Sequence, residues 1–69
     1  MSHTVKIIEL VGLSEQSWED AVKNVVWEAS KSIDGITGVE VLNMTADVRD
    51  GKLYDYKVNV QVAFPVKNR

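Results

Sequence analysis

No cysteine occurs in the 69 residues. Disulfides and thiolate metal centres are therefore excluded as supports for so small a chain. There is one histidine, His3, and a histidine-based zinc site within one chain needs more ligands than that. There is no basic surplus either. The net charge is −2 and the pI about 5.2, with the lysines scattered. Nucleic-acid binders draw their affinity from phosphate neutralisation, so no nucleic-acid partner is expected. Apolar runs are short, well under the ~20 residues that cross a bilayer. The opening "MSHTVK" lacks the apolar segment of a signal peptide. The expectation is a cytoplasmic protein with no membrane partner.

What remains is a single domain, 1–69, of a size at which a monomer is hard to stabilise. With disulfides and metal removed from the usual supports, oligomerisation is the expected one.

The chain opens on "TVKIIELV", Thr4 to Val11, a strand rich in β-branched residues. Val5, Ile7 and Val11 share one face with Glu9, while Ile8 and Leu10 share the other with Lys6. A small sheet has one core to face, so apolar residues on both faces predict that the second face meets another subunit. Gly12 and Leu13 lead into a helix. Ser14 or Ser17 caps it, Ser17 with Asp20 approximates a capping box, and Gly35 is its natural stop. Trp18, Ala21, Val22, Val25, Ala29 and Ile33 form its core stripe. Trp27 falls on the opposite side, near Lys23 and Lys31; an indole there points first to an interface, with packing over the lysine stems or a ligand role as the alternatives.

"GVEVLNMTADVR", Gly38 to Arg49, is the second strand, and "RDGK" is a tight hairpin turn, because Asp-Gly tolerates positive φ at both central positions. The third strand, Lys52 to Val66, alternates cleanly. Tyr54, Tyr56, Val58, Val60, Val62 and Phe64 share one face; Asp55, Lys57, Asn59, Gln61 and Ala63 share the other. The order strand–helix–strand–strand predicts an α+β fold, a three-stranded antiparallel sheet packed on one helix with the third strand in the middle.

Signals for catalysis are poor. One terminal histidine and no cysteine leave no nucleophile–base pair of the usual kind, so the chain reads as a non-enzyme. "GITG" lacks the lysine and following helix of a phosphate loop. "DVRDGKLYD" lacks the alternating ligands and closing glutamate of an EF-hand and reads as the hairpin turn. If cations bind, carboxylates come together from several chains.

The ordered pattern resembles the dodecins, small flavin-binding proteins. It is carried by "KIIELVGLS" at Lys6 to Ser14, "SWEDAV" at Ser17 to Val22 and "ASKSI" at Ala29 to Ile33. "VEV" at Val39 to Val41, "DGK" at Asp50 to Lys52 and "YKVNVQVAF" at Tyr56 to Phe64 complete it. The resemblance implies a hollow homododecamer built from trimers, with ligands at contacts between trimers, and binding and sequestration of riboflavin or FMN. In typical dodecins the segment after the helix reads Asp-Trp-Phe-Glu-Val, and the tryptophan stacks on the flavin. Here the aligned residues are Thr37, Gly38, Val39, Glu40 and Val41, and the family's flavin-contacting glutamine falls at Lys57. The expectation is thus a flavin pocket in altered form, with Lys57 and Trp27 as its candidate residues. The alternative is a flavin-free dodecin-fold shell that binds cations such as calcium, for which Glu9, Glu40, Asp47 and Asp55 are the candidates.

Overall fold

The structure, a computed structural model, describes residues 4–66; His3 lies outside them. Four elements follow one another: β1 (Val5–Ser14), α1 (Trp18–Ser30), β2 (Gly38–Arg49) and β3 (Lys52–Pro65). The sheet order is β1-β3-β2, with both pairings antiparallel. The central strand is the one whose sequence alternates best, because it alone is paired on both sides.

β1 runs three residues further than its β-branched content predicts. Gly12 does not break it. Gly12 sits opposite Val58 under the helix, where a Cβ would lie 2.5 Å from the Ala21 carbonyl oxygen and 2.9 Å from Val25 Cβ. The glycine is there to let the helix approach the sheet. Ser14, at the strand's end, is buried. Its hydroxyl donates to Asp20 Oδ2 (2.7 Å) and accepts the Gln16 N–H (2.8 Å), tying strand end to helix start.

Ser17 is the helix cap. Its backbone is extended and its hydroxyl accepts the Asp20 N–H at 3.0 Å. Only half the predicted capping box forms, since the Asp20 carboxylate is engaged with Ser14 and Asn24. The helix ends at Ser30, short of Gly35. Ser30 Oγ donates back to the Val26 carbonyl, and the Ala29 carbonyl accepts from both Ser32 and Ile33. The last turn tightens and the chain leaves the helix before Ile33, which therefore does not extend the helical stripe. Gly35 serves the following turn with φ of 74°.

Ala21 and Val25 press on Val58, Val60 and Val62, and among the described residues these five are the buried apolar core. Ile8, Leu10, Trp18, Val22, Val26 and Ile36 surround it. Trp18 closes one end. Its ring meets Tyr56 edge-on at 5.1 Å, and its Nε1 donates to the Thr45 carbonyl at 2.8 Å. The hairpin turn forms as the sequence predicts, with Asp50 and Gly51 both at positive φ.

Two irregularities alter the faces. Leu42 is an extra residue in β2, between the Val41–Val60 and Asn43–Asn59 pairs. Asp55, at φ 52°, is an extra residue in β3, between the Lys57–Thr45 and Tyr54–Asp47 pairs. Each extra residue reverses the side on which later side chains emerge. Tyr54 therefore does not share the core face with Tyr56, as unbroken alternation predicts. It stands beside Asp47 on the outer face, where Arg49 lies over its ring at 4.6 Å. Among the described residues, no helix is long and apolar enough to cross a membrane.

Candidate functional site

The face of the sheet away from α1 carries the polar residues of β3 and is crossed by four rows read directly from the strand register. Ile7, Ala63 and Gly38 form one row, and Glu9, Gln61 and Glu40 the next. Val11, Asn59 and Asn43 follow, then Leu13, Lys57 and Thr45. Asn59 Nδ2 donates to Asn43 Oδ1 at 2.9 Å, which fixes both amides on this face.

The register brings two of the four carboxylate candidates into one row. Glu9 and Glu40 flank Gln61 at a backbone separation of about 10 Å, two strand spacings. Gln61 is the residue that inspection of the sequence missed. Its place in the polar alternation of β3 is evident, but its place between two glutamates depends on both pairings. Asp47 is held elsewhere, in an ion pair with Lys57 at 3.5 Å. Asp55 occupies the bulge. Together with Lys57, Glu15, Leu13, Ser14 and Tyr56 it lines an open cleft of about 420 Å³ where β1 ends. Among the described residues no three metal-ligating side chains converge. The chain thus sets one pair of candidate carboxylates in a row and, among the described residues, forms no closed cage.

The two flavin candidates are also kept apart. Lys57 points from the outer face, whereas Trp27 is on α1, across the sheet. Trp27 is 63% exposed, and the Lys31 ammonium lies 3.8 Å from its ring centroid. Gly38 and Lys57 share the outer face but lie at the two ends of the sheet, about 20 Å apart along β3. Among the described residues, nothing lies within 4 Å of the position a Gly38 Cβ would take. Within one chain no two of these three positions come together.

Comparison with known proteins agrees with this architecture. The family model for dodecin matches residues 4–67. The calcium dodecin of Mycobacterium tuberculosis is 29% identical over 62 residues, spanning 90% of this chain and 87% of that protein. Its crystal structure, described as that of a calcium-chelating immunodominant antigen with a novel calcium-binding site, superposes with a TM-score of 0.78. That superposition has 31% identity and covers 93% of this chain and 91% of the other. The dodecin of Streptomyces coelicolor superposes with a TM-score of 0.89 at 27% identity, over 100% of both chains.

Proposed function

The chain belongs to the dodecin family, and from that premise we propose that it is a non-enzymatic binding protein of the cytoplasm. Each chain forms one domain, trimers of it build a hollow homododecamer, and the ligand is held where subunits meet. The ligand favoured here is a divalent cation, calcium first. The observation that carries this reading is the row Glu9–Gln61–Glu40, which sets two carboxylates and an amide oxygen on an outer face that, among the described residues, no other element covers. Calcium takes six to eight oxygen ligands, so a second subunit facing this row is needed to complete the shell. The likeness to the calcium dodecin supports the choice.

A second reading, riboflavin or FMN in an altered pocket, is favoured by the exposed indole of Trp27 and the ammonium of Lys57. The first offers a planar stacking surface, and the second can meet a phosphate or a ring carbonyl. Against it stands Gly38. An aromatic stack contributes on the order of 1 kcal/mol beyond area burial, and glycine supplies none of it.

One pair of titrations separates the readings. Calcium is expected to raise the melting temperature saturably, with reversal by chelator, and Glu40→Gln is expected to abolish the shift. Riboflavin and FMN fluorescence is expected to stay unquenched. Saturable quenching that Trp27→Ala or Lys57→Ala removes, with melting indifferent to calcium, reverses the assignment.

A further inference from the structure

Charge is segregated along the outer face of the sheet. Its middle is anionic and carries Glu9 and Glu40. Past Ser14, where β1 ends opposite Tyr56, β2 and β3 continue as a two-stranded ribbon to the Asp50–Gly51 turn. On this ribbon Asp47 pairs with Tyr54, and Arg49 pairs with Lys52. All four side chains share the outer face, because Asp47 and Arg49 are two residues apart in β2, as are Lys52 and Tyr54 in β3. Asp47 is neutralised by Lys57 at 3.5 Å. Among the described residues, neither Arg49 nor Lys52 makes an ion pair with a carboxylate. Like charges directly opposite one another across a ribbon are destabilising. The whole chain has a net charge of −2, so this cationic pair runs against its composition.

Arg49 is also held in place. Its guanidinium carbon lies 4.6 Å from the Tyr54 ring centroid, and its Nη2 donates to Tyr54 Oη at 3.2 Å. Most of the guanidinium N–H donors stay available. A side chain fixed in advance loses less freedom when a ligand arrives. Arg49, Asp50, Lys52, Leu53 and Tyr54 line an open cleft of about 430 Å³. Its two cations outnumber its one carboxylate, Asp50. Gly51 sits between the two cations in the turn, and no described residue lies within 4 Å of the position its Cβ would take.

We propose that this cleft is an oxyanion site, and that its ligand is a phosphate group, free or carried as a phosphate monoester. The planar fork of Arg49 suits two oxygens of one phosphate, and Lys52 meets the same group from across the ribbon as a point charge. The bound anion converts a repulsive cross-strand pair into an attractive triad. The site is separate from the Glu9–Gln61–Glu40 row, so either can be filled without the other.

The test uses the whole protein at fixed ionic strength. Inorganic phosphate and ribose 5-phosphate are titrated in turn, with binding read from the phosphorus NMR line and from the melting temperature. Saturable binding at millimolar concentration is expected. Arg49→Gln and Lys52→Gln are each expected to weaken it about tenfold. Without phosphate, Lys52→Gln is expected to melt no lower than the parent protein, since it removes a repulsion and no contact. That separates a lost site from a damaged fold. Tighter binding of ribose 5-phosphate than of inorganic phosphate assigns the cleft to a phosphorylated small molecule, and equal binding assigns it to free phosphate. Stabilisation that sodium chloride reproduces at the same ionic strength overturns the proposal. So does saturable binding that survives both substitutions unchanged.

Discussion

β1 and β2 flank the same central strand, yet only one of them is roofed. Under α1, β1 turns Ile8, Leu10 and Gly12 to the core, and the central valines beneath are sealed. Across β3, Val41 sits directly opposite Val60 on the same face of the sheet, but it is 41% exposed where Val60 is fully buried. The two side chains have the same chemistry and adjacent places. What differs is the reach of a thirteen-residue helix. The apolar content of β2 is therefore not explained by this chain's own core. Burial here is decided by the roof.

The sharpest way to break that comparison is to lift the roof. Gly12→Ala places a methyl group 2.5 Å from a helix carbonyl oxygen. Backbone cannot swing aside as a side-chain tip can, so α1 must shift away from β1. We expect a loss of about 3 kcal/mol, at the upper end of overpacking costs, read as a lowered midpoint in urea. The same substitution at Gly38, where no described residue lies within 4 Å, is the control and is expected to be nearly silent.

A second pair of variants compares the halves directly. Val60→Ala removes two methyl groups from a sealed site and is expected to cost about 2 kcal/mol. Val41→Ala, one strand away, is expected to cost under about 0.5 kcal/mol in the dissociated chain, in line with other exposed substitutions. If the proposed homododecamer covers β2, the two values converge in the assembled protein. Equal costs under dissociating conditions would show that β2 has cover within its own chain.

Much of this was legible in the sequence, for identifiable reasons. Strand three declared itself because a strand paired on both sides with one buried face must alternate. The hairpin declared itself because Asp50–Gly51 supplies two residues that accept positive φ. Gly12 misled because a glycine near a strand end reads as a break, and its true role depends on a helix that crosses over it. Gly35 misled because the helix ends on hydrogen bonds made by Ser30, Ser32 and Ile33, which no periodicity encodes. Tyr54 was assigned to the wrong face because the Asp55 bulge is a property of the β2–β3 pairing. The candidate site was legible only as a set of residue types. That Glu9 and Glu40 share a row with Gln61, while Asp47 is taken by Lys57, depends on register, and register depends on the Leu42 bulge.

The smallest effect tests whether roof and sheet melt as one. Ser17→Ala removes the hydroxyl that accepts the Asp20 N–H and leaves an unpaired donor at the helix start. The expected loss is about 1 kcal/mol. Where it falls is more informative than its size. The helix contributes Ala21 and Val25 to a core of five residues, so fraying its first turn loosens contacts with Val58 at once. Amide exchange should accelerate in α1 and in the part of β1 beneath it. The β2 amides paired to β3 are held by a ladder that the helix barely touches and should change least in the dissociated chain. Uniform acceleration through β2 would mean that the two halves unfold as one cooperative unit, and that the roofed and unroofed regions differ in burial but not in stability.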